Sequence, residues 1–131
     1  MCEYYTRVGQ NVWSHRFDTP LWNASAPVSV PHFVNVVPLF QNISGALRPL
    51  PQYQSYKDLS TNIGQAYVSF VREGGPNAGK AKAGGLASWP KYSLGTLTNM
   101  VLNSNGSFVE AFMWRKEGIA FINSISRELL A

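Results

Sequence analysis

At 131 residues the chain has room for one domain with a real core, but hardly for two. Apolar residues at 45% and charged residues at 14% exclude a disordered segment, and a formal charge of +4 carried by scattered bases such as Arg7, Arg16, Arg48, Lys57 and Arg72 excludes a nucleic-acid patch. The one cysteine, Cys2, excludes an internal disulfide and a thiolate-rich zinc site, and no apolar run is long enough to span a bilayer.

Residues 3–9, Glu-Tyr-Tyr-Thr-Arg-Val-Gly, read as the last turns of a helix closed by Gly9. A strand follows over 11–17, where Trp13, His15 and Phe17 alternate with Val12, Ser14 and Arg16. Asp18-Thr19-Pro20 ends it, and a long Pro/Ser/Asn segment delivers His32 on a loop beyond the strand's C-terminal end. Phe33, Val36, Val37 and Phe40 have helical spacing and predict a short helix broken by Pro38. Residues 41–56 read as a connector.

From Asp58 to Glu73 the pattern is an amphipathic helix. Leu59, Ile63, Ala66, Tyr67, Phe70 and Val71 recur at three- and four-residue steps, with Asp58 or Ser60 as the N-cap and Gly74-Gly75-Pro76 as the stop. The glycine- and lysine-rich stretch 74–88, which contains Lys80 and Lys82, reads as a surface loop; it lacks the Gly-Lys-Ser/Thr ending of a phosphate cradle. Thr98–Leu102 and Phe108–Phe112 flank Asn105-Gly106 and predict a hairpin. Trp114 to Leu130 closes the chain as a helix with Ile119, Ile122, Ile125 and Leu129 as its buried stripe.

Four Trp, six Tyr and seven Phe call for a large interior or a covering partner. Trp13, Trp22, Trp89 and Trp114 read as packing rather than as a stacking platform. The strand at 11–17 has no sequence neighbour ready to pair with it, so it is expected to belong to a larger sheet whose other strands lie upstream. The chain opens without a basic and apolar leader, yet Asn23, Asn42 and Asn105 each begin an Asn-x-Ser sequon. These features predict glycosylation at the three asparagines and secretion of a longer parent.

Several short motifs stand in order along the chain: Ser14-His15-Arg16-Phe17-Asp18; His32 with Phe40 closing its segment; Leu59-Ser60, Tyr67, Phe70 and Gly75-Pro76-Asn77; Trp89-Pro90 with Tyr92; and Phe121-Ile122-Asn123. Together they resemble the C-terminal portion of the type-B carboxylesterases, the family of cholinesterases and fungal lipases, over nearly the whole chain. Asn35 stands where that family usually has an acid, and Ile122 replaces its second aromatic.

The resemblance implies an α/β class, as the C-terminal fragment of an α/β-hydrolase fold: late sheet strands, a hairpin and closing helices. It also implies a Ser-His-Glu/Asp mechanism acting on carboxylic esters, with His32 as the general base and acid. The triad runs serine, acid, histidine along such chains, and this sequence holds no Gly-x-Ser-x-Gly elbow. None of Glu3, Asp18, Asp58, Glu73, Glu110, Glu117 and Glu128 stands in the family's triad-acid context. His15 reads as structural. Phe33, Val36 and Val37 either line an acyl pocket or bury against the sheet. No metal or other cofactor is implied; the partners expected are an ester substrate and the N-terminal part of the same fold. The competing reading is a non-catalytic cholinesterase-like glycoprotein or a degenerate remnant.

Overall fold

A computed structural model describes residues 1–20, 30–41, 53–77, 86–113 and 115–129. The elements in chain order are α1 (Cys2–Arg7), β1 (His15–Phe17), α2 (Val36–Leu39), α3 (Gln54–Glu73), β2 (Thr98–Leu102), β3 (Phe108–Ala111), α4 (Lys116–Ser124) and α5 (Ser126–Leu129). Gly9 ends α1 as expected. It adopts φ 80° one residue past the Val8 cap and donates to the Thr6 carbonyl, while the Gln10 N–H reaches Tyr5. Two orphan carbonyls are thereby satisfied.

β1 is shorter than the sequence pattern predicts, and it is not alone. It pairs in parallel with β2, His15 opposite Met100 and Phe17 opposite Leu102, and β2 pairs antiparallel with β3 through the Asn105-Gly106 hairpin. The expectation of a strand lacking any partner within the chain is therefore corrected. The partner lies some 85 residues downstream, beyond the reach of local pattern reading.

Register sorts the side chains into two faces. Trp13, His15 and Phe17 share a face with Met100 and Leu102; Ser14 and Arg16 share the other with Asn99, Val101 and Glu110. The first face meets α3. Leu59, Ile63 and Ala66 of the helix pack with Trp89, Met100 and Leu102, and Trp13, Phe17, Leu39 and Leu86 close the margins. The second face carries a polar ladder across all three strands. Ser14 donates to Asn99 Oδ1 (2.8 Å), Asn99 donates to Glu110 Oε1 (3.0 Å), and Arg16 grips both Glu110 oxygens at 3.1 Å while its third nitrogen pairs with Asp18 at 2.8 Å. Arg16 thus couples β1 to β3 across the intervening strand, and its guanidinium holds the Glu110 carboxyl below the usual range.

Three helical expectations need correction. α3 begins at Gln54 with Tyr53 as N-cap, so neither Asp58 nor Ser60 caps it; Asp58 instead accepts a hydrogen bond from Gln54 one turn back at 2.8 Å. Pro38 does not break α2. It sits in the first turn, where no intrahelical N–H is required of it, and the helix runs on to Leu39. The closing helix is two pieces parted at Ile125, and the predicted stripe faces outward: Ile119 and Ile122 are each 53% exposed. The side chain of Leu129 lies outside the described residues, as do Trp22 and Trp114.

Candidate functional site

The path to His32 begins where β1 ends. The Asp18 N–H donates to the Leu102 carbonyl at 2.9 Å, and the Asn103 amide donates to the Asp18 carbonyl at 2.9 Å. Thr19, only 3% exposed, donates to the Leu102 carbonyl and accepts the Ser104 N–H, at 3.2 and 3.0 Å. The strand's exit is therefore pinned to the hairpin turn before the chain passes through 21–29, which lie outside the described residues.

When the chain re-enters, His32 is exposed on a turn leading into α2. Its ring lies 6.0 Å from that of Phe33 and tilted to it, and among the described residues no hydrogen bond to the imidazole is present. Phe33 adopts φ 75°, a left-handed conformation that is costly for an aromatic residue and that clusters at functional positions. Of the three residues predicted beside His32, Phe33 turns to solvent, while Val36 and Val37 are half-buried.

A second histidine stands in a setting that the sequence did not single out. The rings of Trp13, His15, Tyr67, Phe70 and Trp89 surround a cavity of about 180 Å³ over Ala66 and Pro76. His15 meets Trp89 edge-on at 5.4 Å and Tyr67 at 6.3 Å, and Trp13 meets Phe70 at 5.7 Å. His15 as a residue is exposed. Its ring, however, is crowded by apolar neighbours, and burial lowers its pKa below 6.5. The one signal that could have found this site is the alternation of aromatic residues at 13, 15 and 17 opposite Tyr67 and Phe70 at helical spacing.

The Asn77 and Trp89 motifs turn out to clasp each other. Asn77 donates to the Trp89 carbonyl and accepts the Trp89 N–H, both at 2.8 Å, while the Trp89 indole donates to the Ser14 carbonyl at 2.9 Å. One asparagine thus satisfies both backbone groups of a tryptophan that is 4% exposed. Its role is architectural: it seats Trp89 against β1.

No protein-family model and no curated sequence matches the chain. Solved structures do. A PNB esterase superposes with a TM-score of 0.59 at 25% identity, over 82% of this chain and 20% of its own. Carboxylesterase EST55 of Geobacillus stearothermophilus superposes with a TM-score of 0.68 at 21% identity, over 91% of this chain and 23% of its own. A thermophilic PNB esterase gives 0.62 at 22% identity, over 82% and 21%. The fold is that of a carboxylesterase segment.

This carboxylesterase-like segment spans about a fifth of the length of the esterases it matches. Within it, three of the seven acids are committed to structural bonds: Asp18 and Glu110 to Arg16, and Asp58 to Gln54. Glu3 lies in the first turn of α1, Glu117 in that of α4 and Glu128 in that of α5, where carboxylates favour the helix dipole. Among the described residues no cluster of His, Cys, Asp and Glu is arranged to hold a metal ion, and no helix is long and apolar enough to cross a membrane. Of the three sequon asparagines, Asn105 lies exposed in the hairpin turn; Asn23 and Asn42 lie outside the described residues.

Proposed function

We propose that this polypeptide contributes the histidine of a serine carboxylic-ester hydrolase. The observation that carries the reading is the likeness to carboxylesterase structures over 82–91% of the chain. An exposed imidazole on a strained turn, downstream of a parallel strand, is consistent with it. The nucleophilic serine, its oxyanion hole and the orienting carboxylate are supplied by polypeptide outside these 131 residues. A serine hydroxyl is a weak nucleophile near neutral pH and needs a base within hydrogen-bonding reach. His32 takes that proton as the hydroxyl attacks the ester carbonyl, then returns it to the departing alcohol. The imidazole needs no cofactor for either transfer.

The 131-residue chain by itself hydrolyses no chromogenic short-chain ester faster than its His32→Ala variant, because the base has no hydroxyl to activate. In a reading frame that also encodes a Gly-x-Ser-x-Gly elbow and a triad acid ahead of Met1, His32→Ala lowers kcat by at least roughly 10⁴-fold. Unchanged turnover in that longer enzyme refutes the assignment. Absence of any such frame favours the non-catalytic glycoprotein or remnant.

The same reading makes the parent a secreted protein bearing a glycan on Asn105. The exposed Asn105-Gly106-Ser107 turn leaves the acceptor amide accessible. An Asn105→Gln parent that shows the same endoglycosidase mass shift as the unsubstituted one rules this out.

A further inference from the structure

α2 is four residues long, far short of what a helix needs to persist unaided. It is also flanked by two non-glycine residues in the left-handed region, Phe33 at φ 75° and Gln41 at φ 53°. Such conformations last only where the surroundings over-determine them. The surroundings here are α3. Ser60, 2% exposed, donates its hydroxyl to the Pro38 carbonyl at 2.5 Å, and Pro38 is the buried residue of α2. One turn further along α3, Gly64 faces the end of α2: a Cβ there would lie in ordinary contact, 3.8 Å from the Leu39 carbonyl oxygen and 3.9 Å from Gln41 Nε2.

Backbone hydrogen bonds then carry that anchor back towards the imidazole. Phe40 donates to Val36, Leu39 to Asn35, and Val36 to Phe33, the residue after His32. We propose that Ser60 is a positioning residue for His32: by holding the Pro38 carbonyl against α3, it sets the turn from which the imidazole projects. This rests on the reading of His32 as the proton shuttle, but its test does not require turnover.

The full chain has two histidines, so ¹³C-histidine labelling yields two imidazole signals, with His15 as an internal reference. Ser60→Ala shifts or broadens the His32 signal, leaves that of His15 in place and speeds amide exchange at Leu39 and Phe40 about tenfold, the scale of one lost buried hydrogen bond. Ser60→Thr, which keeps the hydroxyl, restores the His32 line. A His32 signal indifferent to Ser60→Ala overturns the proposal. So does a parallel movement of both histidines, which would mean that Ser60 supports the fold at large. Either result leaves the esterase reading standing, since that reading falls only on the turnover of His32→Ala.

Discussion

At the scale of single residues, the two histidines differ in what surrounds them. Both are exposed as residues, but the His15 ring packs edge-on against Trp89 and Tyr67. Burial disfavours the imidazolium, so the folded state binds a proton at His15 less readily than the unfolded chain does. The group's contribution to stability is therefore complete above pH 6.5, its ordinary pKa, and is lost progressively as the pH falls from there towards its depressed folded value. Replacing the ring by one that cannot charge removes this dependence. Denaturant midpoints of the wild-type chain should fall between pH 7 and 5, and those of His15→Phe should fall less; equal slopes would mean that the ring is not desolvated. Glu110 acts in a separate window. Its carboxyl is depressed by Arg16, so its contribution fades only below about pH 4.5. A motif marks His32 in the sequence, and the structure places it exposed on a turn. The seat of His15 was not, since alternation along a strand does not say which helix will lie across it.

At the scale of elements, periodicity located the helices and the hairpin but misjudged what they face. The stop of α3 was legible because Gly74 alone supplies the φ of 74° that ends the helix. Its start was not, because Gln54 to Lys57 carry no apolar stripe and Tyr53 is no conventional cap. Leu59, Ile63 and Ala66 are buried as read, whereas Tyr67, Phe70 and Val71, on the same predicted stripe, are 38%, 47% and 83% exposed. The spacing of apolar residues tells which face of a helix is greasy, not whether anything covers it. Gly64 offers an element-level test. It is helical, and a Cβ there meets only ordinary van der Waals distances, so Gly64→Ala gains helix propensity without a clash. The substitution should stabilise the chain by about 0.5–1 kcal/mol, read as a rise in the urea midpoint at constant slope. A drop would mean that α2 sits closer to α3 than 3.8 Å allows.

At the scale of the whole molecule, the uncovered apolar surface is spread over several elements. Val68, Phe70 and Val71 are exposed on α3, while Ile119, Phe121 and Ile122 are exposed on α4, where Phe121 reaches 62%. The three-stranded sheet gains no further strand among the described residues, so β1 and β3 are its two edges. An exposed edge recruits another backbone, and an apolar patch recruits another patch. The α4 face is the simplest to test, because none of its residues is buried and a charge there disrupts no core contact. The isolated chain should therefore self-associate in a concentration-dependent way and bind a hydrophobic dye. Ile119→Glu with Ile122→Glu should weaken both behaviours while leaving the far-ultraviolet circular dichroism unchanged. Light scattering and dye fluorescence measured over a dilution series decide the matter. If the double variant associates as strongly as the parent chain, the contact lies at the sheet edges or on α3. If the unsubstituted chain is monomeric and dark to the dye throughout, these surfaces are covered in solution by the chain itself.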